Sequence, residues 1–245
     1  MSTIDDRLFD KLKGFDLPRG PLHLVLQRMA NMPGRVGASA KRKTIRRDVK
    51  LLEKIAFKRL TDLTKSLQLD DIFVDLGANV GAVSKLFAEA GIQVVAYEPD
   101  PWNFEILERN LAGFDTVTLV QKAVGAKTDV LKLERPSGVK RGRGAQNSTI
   151  MAGSFTSDTE TFDVEVLSYA DMIAALPKKP AVVKMDIEGA ELEILEAMMR
   201  GEVDLGTDLL LVETHEFMFP DVLERYLALK NWARGLGDQI DLNWH

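Results

Sequence analysis

Residues 74–84 read VDLGANVGAVS, a short apolar run that turns through two glycines into a helical pattern. A strand, a glycine-containing turn and a helix in this order are typical of the nucleotide-binding edge of a parallel α/β sheet. Gly77 and Gly81 can supply tight backbone geometry, and the N-terminus of the helix presents unpaired N–H groups. The segment therefore predicts a cofactor site, without indicating which nucleotide binds there.

The spacing of the glycines narrows the choice of cofactor. A dinucleotide site has the pattern G-x-G-x-x-G, but here Ala78 replaces the middle glycine that lets a pyrophosphate approach the backbone. Asp75, at the end of the strand, would repel a pyrophosphate and suits a cationic, methionine-like group. S-adenosylmethionine, with its ammonium and sulfonium charges, therefore fits better than NAD.

Two later strand ends support the same cofactor. The next apolar run ends in Glu98 and Pro99, about 20 residues beyond the glycines, where an acid can accept hydrogen bonds from both ribose hydroxyls. Residues 120–125 then turn at the same edge, where backbone could meet an adenine ring. The predicted cofactor-binding residues are Asp75, Gly77, Ala78, Asn79, Gly81, Glu98, Pro99, Ala123, Val124 and Asp186.

The chain from residue 71 onward alternates short apolar runs with helical patterns, which indicates βαβ units and a parallel sheet. The predicted strands are 72–75, 93–97, 117–121, 181–185 and 209–213, and the predicted helices are 82–90, 102–111, 169–174 and 190–199. Two further strands, 130–133 and 162–166, surround a polar loop at 135–158. We expect an α/β, Rossmann-like fold with a mainly parallel seven-stranded twisted sheet and helices on both faces.

The first 70 residues differ in character, because glycines and prolines interrupt residues 14–37 and a helical stretch follows at about 40–67. Apolar residues recur along this stretch at helical spacing and give it one face to bury: Ile45, Val49, Leu52, Ile55 or Ala56, Leu60 and Leu63. We expect residues 1–70 to form a helical extension and 71–245 to form the cofactor-binding domain. The helix also carries nine basic residues against two acids between 41 and 59. Either a solvated face or an anionic partner, such as a membrane surface, explains this charge.

Composition excludes several classes of protein. A chain of 245 residues, 45% hydrophobic, is long enough for one α/β domain with an extension. The formal net charge of −5 gives no reason to expect a nucleic acid partner. The absence of cysteine excludes disulfides, thiolate metal sites and cysteine nucleophiles. Acids near the N-terminus, and the lack of an apolar run of about 18 residues, predict a cytoplasmic, soluble chain.

Several segments together resemble the FkbM family of class I methyltransferases. They are VDLGANVG and YEPD, KAVG at 122–125, NST at 147–149, KMDIEGAE at 184–191 and VETH at 212–215. The resemblance covers residue 72 to about residue 215, and KMDIEGAE is its most family-specific piece. It implies a class I methyltransferase fold and O-methylation of a sugar, a glycolipid head group or a polyketide hydroxyl. It does not select among these acceptors.

Ionisable residues cluster at the carboxyl ends of the fourth and fifth predicted strands: Lys184, Asp186, Glu188, Glu213 and His215. Methyl transfer needs an acceptor oxygen placed in line with the methyl group and a base that removes its proton. His215 is the natural base, since a histidine ordinarily has a pKa of about 6.5. Asp186 could replace it or orient the acceptor, and Lys184 could keep that carboxylate ionised. The predicted catalytic residues are His215, Asp186, Lys184 and Glu188.

The sequence leaves several alternatives open. The strand-end acids and His215 could hold magnesium, although we expect no metal. Four residues of the polar loop could close over an anionic acceptor or could simply be solvated: Arg141, Arg143, Asn147 and Ser148. The acceptor could be a nitrogen of a protein or small molecule, although no N/D-P-P-Y motif stands at the fourth strand. A non-catalytic regulator that docks through the basic helix, and a homo-oligomer, are further alternatives.

Overall fold

The computed structural model describes residues 3–136, 159–216, 218 and 220–242. Contacts between Cα atoms divide the chain into two compact units, one of residues up to 59 with 216–223, and one of residues 60–215 with 224 onward. The domain boundary at residue 70 stays a prediction, and the division by contacts falls earlier in the chain. No helix in the described ranges is long and apolar enough to cross a membrane.

Three helices lie at the start of the chain: α1 (Ile4–Lys13), α2 (Pro21–Met29) and α3 (Gly34–Thr64). They belong to the first unit, except for residues 60–64 of α3, which belong to the second. Only the third was predicted, and it begins earlier than expected. The residues that interrupt the early sequence mark helix ends, since Gly14 is the C-cap of α1 and Pro21 is the first residue of α2. Pro is favoured at that position because the first helical N–H has no intrahelical partner. The glycines and prolines of this segment therefore mark the boundaries between helices and do not indicate a segment without secondary structure.

The core of the first unit lies between these helices. Its buried side chains are Phe9, Leu12, Leu17, Ala30, Ala40, Ile45 and Leu52. Beside them, the buried carboxylate of Asp48 lies 3.0 Å from Nε of Arg19 and 2.9 Å from Nε2 of His23. One of the two acids of the basic helix stretch therefore points inward and forms an ion pair with Arg19.

The second unit contains nine strands and the remaining described helices. The strands are β1 (Ile72–Leu76), β2 (Gln93–Tyr97), β3 (Val117–Val120), β4 (Ala123–Gly125), β5 (Asp129–Pro136), β6 (Thr159–Ser168), β7 (Val182–Met185), β8 (Leu209–Val212) and β9 (Ile240–Asp241). The helices are α4 (Ala82–Glu89), α5 (Pro101–Leu111), α6 (Tyr169–Ala174), α7 (Glu191–Met199) and α8 (Leu223–Arg234), whose first residue belongs to the first unit. The five predicted strands of the parallel sheet and the four helices predicted among them are confirmed, each end within one residue.

The main sheet has six parallel strands in the order β3-β2-β1-β7-β8-β9. The α/β class is confirmed, but the expected single sheet of seven strands is not what the described residues form. The two extra strands, β5 and β6, join β4 in a separate three-stranded sheet, because they bury an apolar face of their own. Arg135 and Pro136, expected in the polar loop, continue β5, and residues 137–158 lie outside the described residues.

The register of the main sheet brings four chain segments to one edge. Leu76 pairs with Tyr97 on one side and with Met185 on the other, and Met185 pairs with Val212. The residues that follow these strand ends therefore emerge side by side at the carboxyl edge. In parallel α/β sheets, ligands bind at this edge.

Candidate active site

The turn after β1 requires glycine at two positions. Gly77 has φ +78°, and a Cβ atom there would lie 1.8 Å from the carbonyl oxygen of Asp186. The N–H groups of Gly77 and Ala78 donate to the carbonyl oxygen of Tyr97, at 3.0 and 2.9 Å. Gly81 has φ +86° and precedes α4, and a Cβ atom there would meet Cδ1 of Leu107 at 2.6 Å. The glycines therefore allow three strand ends to approach closely, a geometry that side chains would block.

Asp75 and Lys184 lie behind this turn and form a buried ion pair. Nζ of Lys184 is 3.1 Å from Oδ1 of Asp75 and donates to the carbonyl oxygen of Gly77 at 3.0 Å. The hydroxyl of Ser84 donates to Oδ2 of Asp75 at 2.7 Å. Burial acts to lower the pKa of Lys184, but Asp75 and Asp186 outweigh it and raise that pKa. Lys184 therefore stays charged and joins the ends of β1 and β7.

A cavity opens in front of the same turn. Eight of the predicted site residues line it: Gly77, Asn79, Glu98, Pro99, Ala123, Val124, Asp186 and Glu188. Six lining residues were not predicted: Tyr97, Asn103, Lys122, Leu133, Ile187 and Ala190. Five predicted site residues lie next to the cavity without lining it: Asp75, Ala78, Gly81, Lys184 and His215. The structure thus brings the predicted site residues together around one cavity. Eight of them line it, and the other five lie next to it.

Glu98 presents a carboxylate that the backbone holds in one orientation. The N–H of Asn79 donates to Oε2 at 2.8 Å, and the N–H of Asp100 donates to Oε1 at 2.9 Å. Burial raises the pKa of Glu98 to about 7, although these two N–H groups act in the opposite direction. The side chain of Asn103 also donates to this carboxylate. A carboxylate has about four acceptor sites, so room remains for a ribose hydroxyl.

His215 stands among three carboxylates at the ends of β7 and β8. Its Nε2 lies 3.6 Å from Oδ1 of Asp186 and 3.5 Å from Oε2 of Glu188, and its Nδ1 lies 3.2 Å from Oε1 of Glu191. Burial acts to lower the pKa of His215, but the three carboxylates, Glu191 first, raise it to about 10. The imidazole is therefore charged at neutral pH.

Glu188 is the carboxylate of this group that titrates near neutrality. Burial raises its pKa to about 7, while His215 acts to lower it. Its backbone adopts φ +53°, a left-handed conformation that is uncommon for a residue other than glycine. Non-glycine residues held in such conformations concentrate at functional sites. Unlike His215, Glu188 lines the cavity.

Asp186, Glu188 and His215 also have the composition of a cation site. One ligand atom from each lies within 4.8 Å of the others, whereas Glu213 is not part of this group. Oxygen and imidazole ligands suit a divalent ion such as magnesium or manganese. Alternatively, the charged imidazole itself pairs with the two carboxylates. The geometry allows either a bound cation or this ion pair.

Glu191 has a larger role than the sequence indicated. Acids are favoured in the first turn of a helix, and its position at the start of α7 suggests nothing more. In the structure it is buried and accepts from the hydroxyl of Tyr226 at 2.8 Å and from the N–H of His215 at 3.1 Å. Only the family-like segment KMDIEGAE, which ends at this residue, could have drawn attention to it. The four loop candidates, Arg141, Arg143, Asn147 and Ser148, lie outside the described residues.

Comparison with known proteins places this site in a family. Residues 75–240, more than half of the chain, match the methyltransferase FkbM domain. The chain belongs to the FkbM methyltransferase family. Residues 75–240 are therefore a methyltransferase domain with S-adenosylmethionine as its methyl donor, as the resemblance of the motifs implied.

A curated relative of this FkbM protein is the hexuronic acid methyltransferase AglP of Haloferax volcanii. The two are 29% identical over 167 residues, which cover 68% of this chain and 65% of AglP. This chain thus spans just under two thirds of the relative's length.

Similar solved structures are also methyltransferases, at low likeness. A precorrin-6y C5,15-methyltransferase from Geobacter metallireducens is 16% identical, with 72% and 69% of the two chains covered and a TM-score of 0.38. A methyltransferase from Geobacter sulfurreducens is 17% identical, with 79% and 71% covered and a TM-score of 0.30. At these TM-scores, the FkbM match alone carries the family assignment.

The residues of the cavity fit S-adenosylmethionine. Glu98 presents two acceptor oxygens suited to a ribose diol, and Ala123 and Val124 give a small apolar wall beside it. Asp186 also lines the cavity and offers a carboxylate to a cationic methionine end. The cavity therefore presents carboxylate oxygens, which can accept hydrogen bonds from the hydroxyls of the cofactor and attract its positive charge.

Proposed function

We propose that this FkbM protein methylates an oxygen of a carbohydrate acceptor, either a free sugar or the sugar of a glycolipid, with Glu188 as the general base. The observation that carries the proposal is a carboxylate that lines the cavity and has a pKa of about 7. The likeness to a hexuronic acid methyltransferase supports a sugar as the acceptor.

Glu188 suits the role of base better than His215, the first candidate from the sequence. A general base works best when its pKa lies near the working pH, and this holds for Glu188 but not for His215, whose pKa is about 10. A charged imidazole has no free lone pair with which to accept a proton. His215 also lies outside the cavity lining, so an acceptor hydroxyl in the cavity meets Glu188 first.

The remaining ionisable residues position the base and the acceptor. His215 lies 3.5 Å from Glu188 and keeps part of its population ionised at neutral pH, because a nearby positive charge lowers a carboxyl pKa. Glu191 contacts Nδ1 of the imidazole and orients the ring, and the hydroxyl of Tyr226 in turn donates to Glu191. Asp186 lines the cavity beside Glu188 and could orient the acceptor, while Nζ of Lys184 lies 3.3 Å from its Oδ2.

The chemistry divides between the cofactor and the chain. S-adenosylmethionine supplies an electrophilic methyl group, which passes from sulfur to the acceptor oxygen. The protein holds the acceptor near Glu188, removes its hydroxyl proton onto Oε1 or Oε2, and excludes water from the cavity. Proximity and one base suffice for a transfer of this kind.

Methyl transfer by purified variants tests the assignment of the base. Acceptors would be neutral oligosaccharides and oligosaccharides that contain hexuronic acid, with S-adenosylmethionine labelled in its methyl group. Glu188→Gln should lower kcat by about 10²- to 10⁴-fold, the usual contribution of a general base. Glu193→Gln is the matched control, because Glu193 lies on the same segment but is exposed and does not line the cavity. Equal kcat values for the two variants would overturn the role of Glu188.

A further inference from the structure

The exposed face of α3 carries a dense row of cations. Eight basic side chains are exposed along it, and they recur at intervals of one, three, four or seven residues, which places them on one side of a helix: Arg35, Arg42, Lys43, Arg46, Arg47, Lys50, Lys54 and Lys58. Glu53 is the one exposed acid in the same stretch of the described chain, because Asp48 is buried with Arg19 and His23. We call these eight residues the basic face.

Exposed aliphatic side chains lie next to the basic face. In α2, Leu22 and Val25 are 60% and 50% exposed. Met32, just before α3, is 52% exposed, and Val36, in the first turn of α3, is 54% exposed. A shallow groove shows that the two sets are neighbours, since Leu22 and Arg47 both line it. Large aliphatic side chains at such exposure lose favourable burial unless a partner covers them.

The combination of charge and aliphatic surface selects one class of partner. Anionic lipids attract surface lysines and arginines, while aliphatic side chains enter the boundary between the lipid head groups and the acyl chains. Single-stranded nucleic acid would need aromatic stacking platforms, and Phe57 is the one aromatic residue among the exposed residues of α3 in the described chain. A second copy packed symmetrically on the same face would bring eight cations against eight, which is unfavourable.

We propose that the first unit of this protein docks on the surface of an anionic lipid bilayer, through the basic face of α3 and the aliphatic side chains of Leu22, Val25 and Val36. The docking is peripheral, because no described helix could span the bilayer. Docking does not depend on the acceptor or on the base of the methyl transfer. A failure of one proposal therefore leaves the other unaffected.

Vesicle co-sedimentation of the full chain tests the docking. Vesicles of phosphatidylcholine alone are compared with vesicles of two parts phosphatidylcholine and one part phosphatidylglycerol. We expect binding to the anionic vesicles only, and a loss of most of it when the salt concentration rises from low to several times physiological, since salt screens surface charges. Equal binding to both vesicles, or no binding to either, would overturn the proposal.

Charge variants locate the binding surface. The triple variant Arg42→Gln, Arg46→Gln and Lys50→Gln should lower the partition coefficient by roughly a hundredfold, because each cation near an anionic surface contributes about fivefold. Lys85→Gln, Lys127→Gln and Lys132→Gln remove the same charge from exposed positions of the second unit and should leave binding within about twofold. The double variant Leu22→Ser and Val25→Ser should weaken binding severalfold at unchanged charge. Circular dichroism verifies that each variant is folded.

Two further measurements separate other partners. If the charge variant fails to bind a single-stranded RNA that the wild type binds, and neither binds vesicles, the partner is a nucleic acid and the lipid proposal is wrong. If sedimentation shows a dimer that Leu22→Ser and Val25→Ser dissociates, the surface joins two copies of the chain, and the proposal is again wrong.

Discussion

Protonation of Glu98 should control how tightly the nucleoside part of the cofactor binds. Burial raises the pKa of Glu98 to about 7 in the structure, so roughly half of the carboxyl groups are protonated at that pH. Ribose hydroxyls donate to the ionised form, so binding requires the carboxylate and lowers its pKa. Affinity should therefore rise with pH through 7 and reach a plateau above it.

The size of this effect follows from the pKa. With a pKa of about 7 in the free protein and a much lower value in the complex, affinity at pH 6 should be about tenfold weaker than at pH 8. Glu98→Gln should remove the pH dependence altogether. It should also weaken binding at pH 8 by about tenfold to a hundredfold, because hydrogen bonds to a charged group contribute about 1.5–3 kcal/mol.

Isothermal titration calorimetry with 5′-methylthioadenosine measures the effect, because this ligand carries the ribose and has no group that titrates between the two pH values. Glu188→Gln is the matched control. Glu188 also lines the cavity and has a pKa of about 7, but it should not alter the pH dependence of nucleoside binding. An affinity that does not change with pH, or a pH dependence that disappears in Glu188→Gln and persists in Glu98→Gln, would show that Glu98 does not control nucleoside binding.

Three other predictions concern the buried charges. His215→Gln removes the cation that lowers the pKa of Glu188. The acid limb of the kcat–pH profile should therefore move to higher pH, and kcat should recover in alkaline solution. An unchanged profile would show that His215 does not act on the base. Lys184→Met leaves Asp75 buried without its cation and should lower the free energy of unfolding in urea by about 3–5 kcal/mol, whereas Lys178→Met, which removes a half-exposed pair, should cost less than about 1 kcal/mol. Treatment with EDTA should leave kcat unchanged, because charged His215 already neutralises its neighbouring carboxylates; a loss that magnesium restores would instead show that the His215 site holds a cation.

The strands and helices of the second unit could be predicted because local patterns and the global fold agree there. Buried parallel strands are mostly apolar runs, such as the fully buried residues 72–76, in which Asp75 is the one polar residue. The helices between them show apolar residues at helical spacing. The turn at Gly77 and the acid at Glu98 are local signals of the same kind. The pattern does not record which strands pair with each other. The sequence therefore assigned β5 and β6 to the main sheet, although β6 pairs with β4 and β5 in a separate one.

The sequence could not predict which strand-end residues face the cavity. Asp75 follows the pattern of a cofactor-binding acid, but its side chain contacts Lys184 and Ser84. Lys184 is more than one hundred residues away in the sequence, and Ser84 is nine residues away. The charge state of His215 likewise depends on Glu191, which belongs to a different element. Such contacts arise from tertiary packing, and no residue spacing within one element records them. The helices α1 and α2 were not predicted individually, because the glycines and prolines of residues 14–37 were treated only as interruptions at the start of the helical extension.

Mass spectrometry of the glycans and glycolipids from cells with and without the gene tests whether this protein methylates a sugar. One class of sugar should lose the mass of one methyl group in the mutant, and purified protein should restore it with isotope-labelled S-adenosylmethionine. Nuclear magnetic resonance should then place the label on an oxygen of the sugar. Glycans and glycolipids that are identical in both cells, with a methyl group lost instead from a nitrogen of a protein or small molecule, would contradict the account.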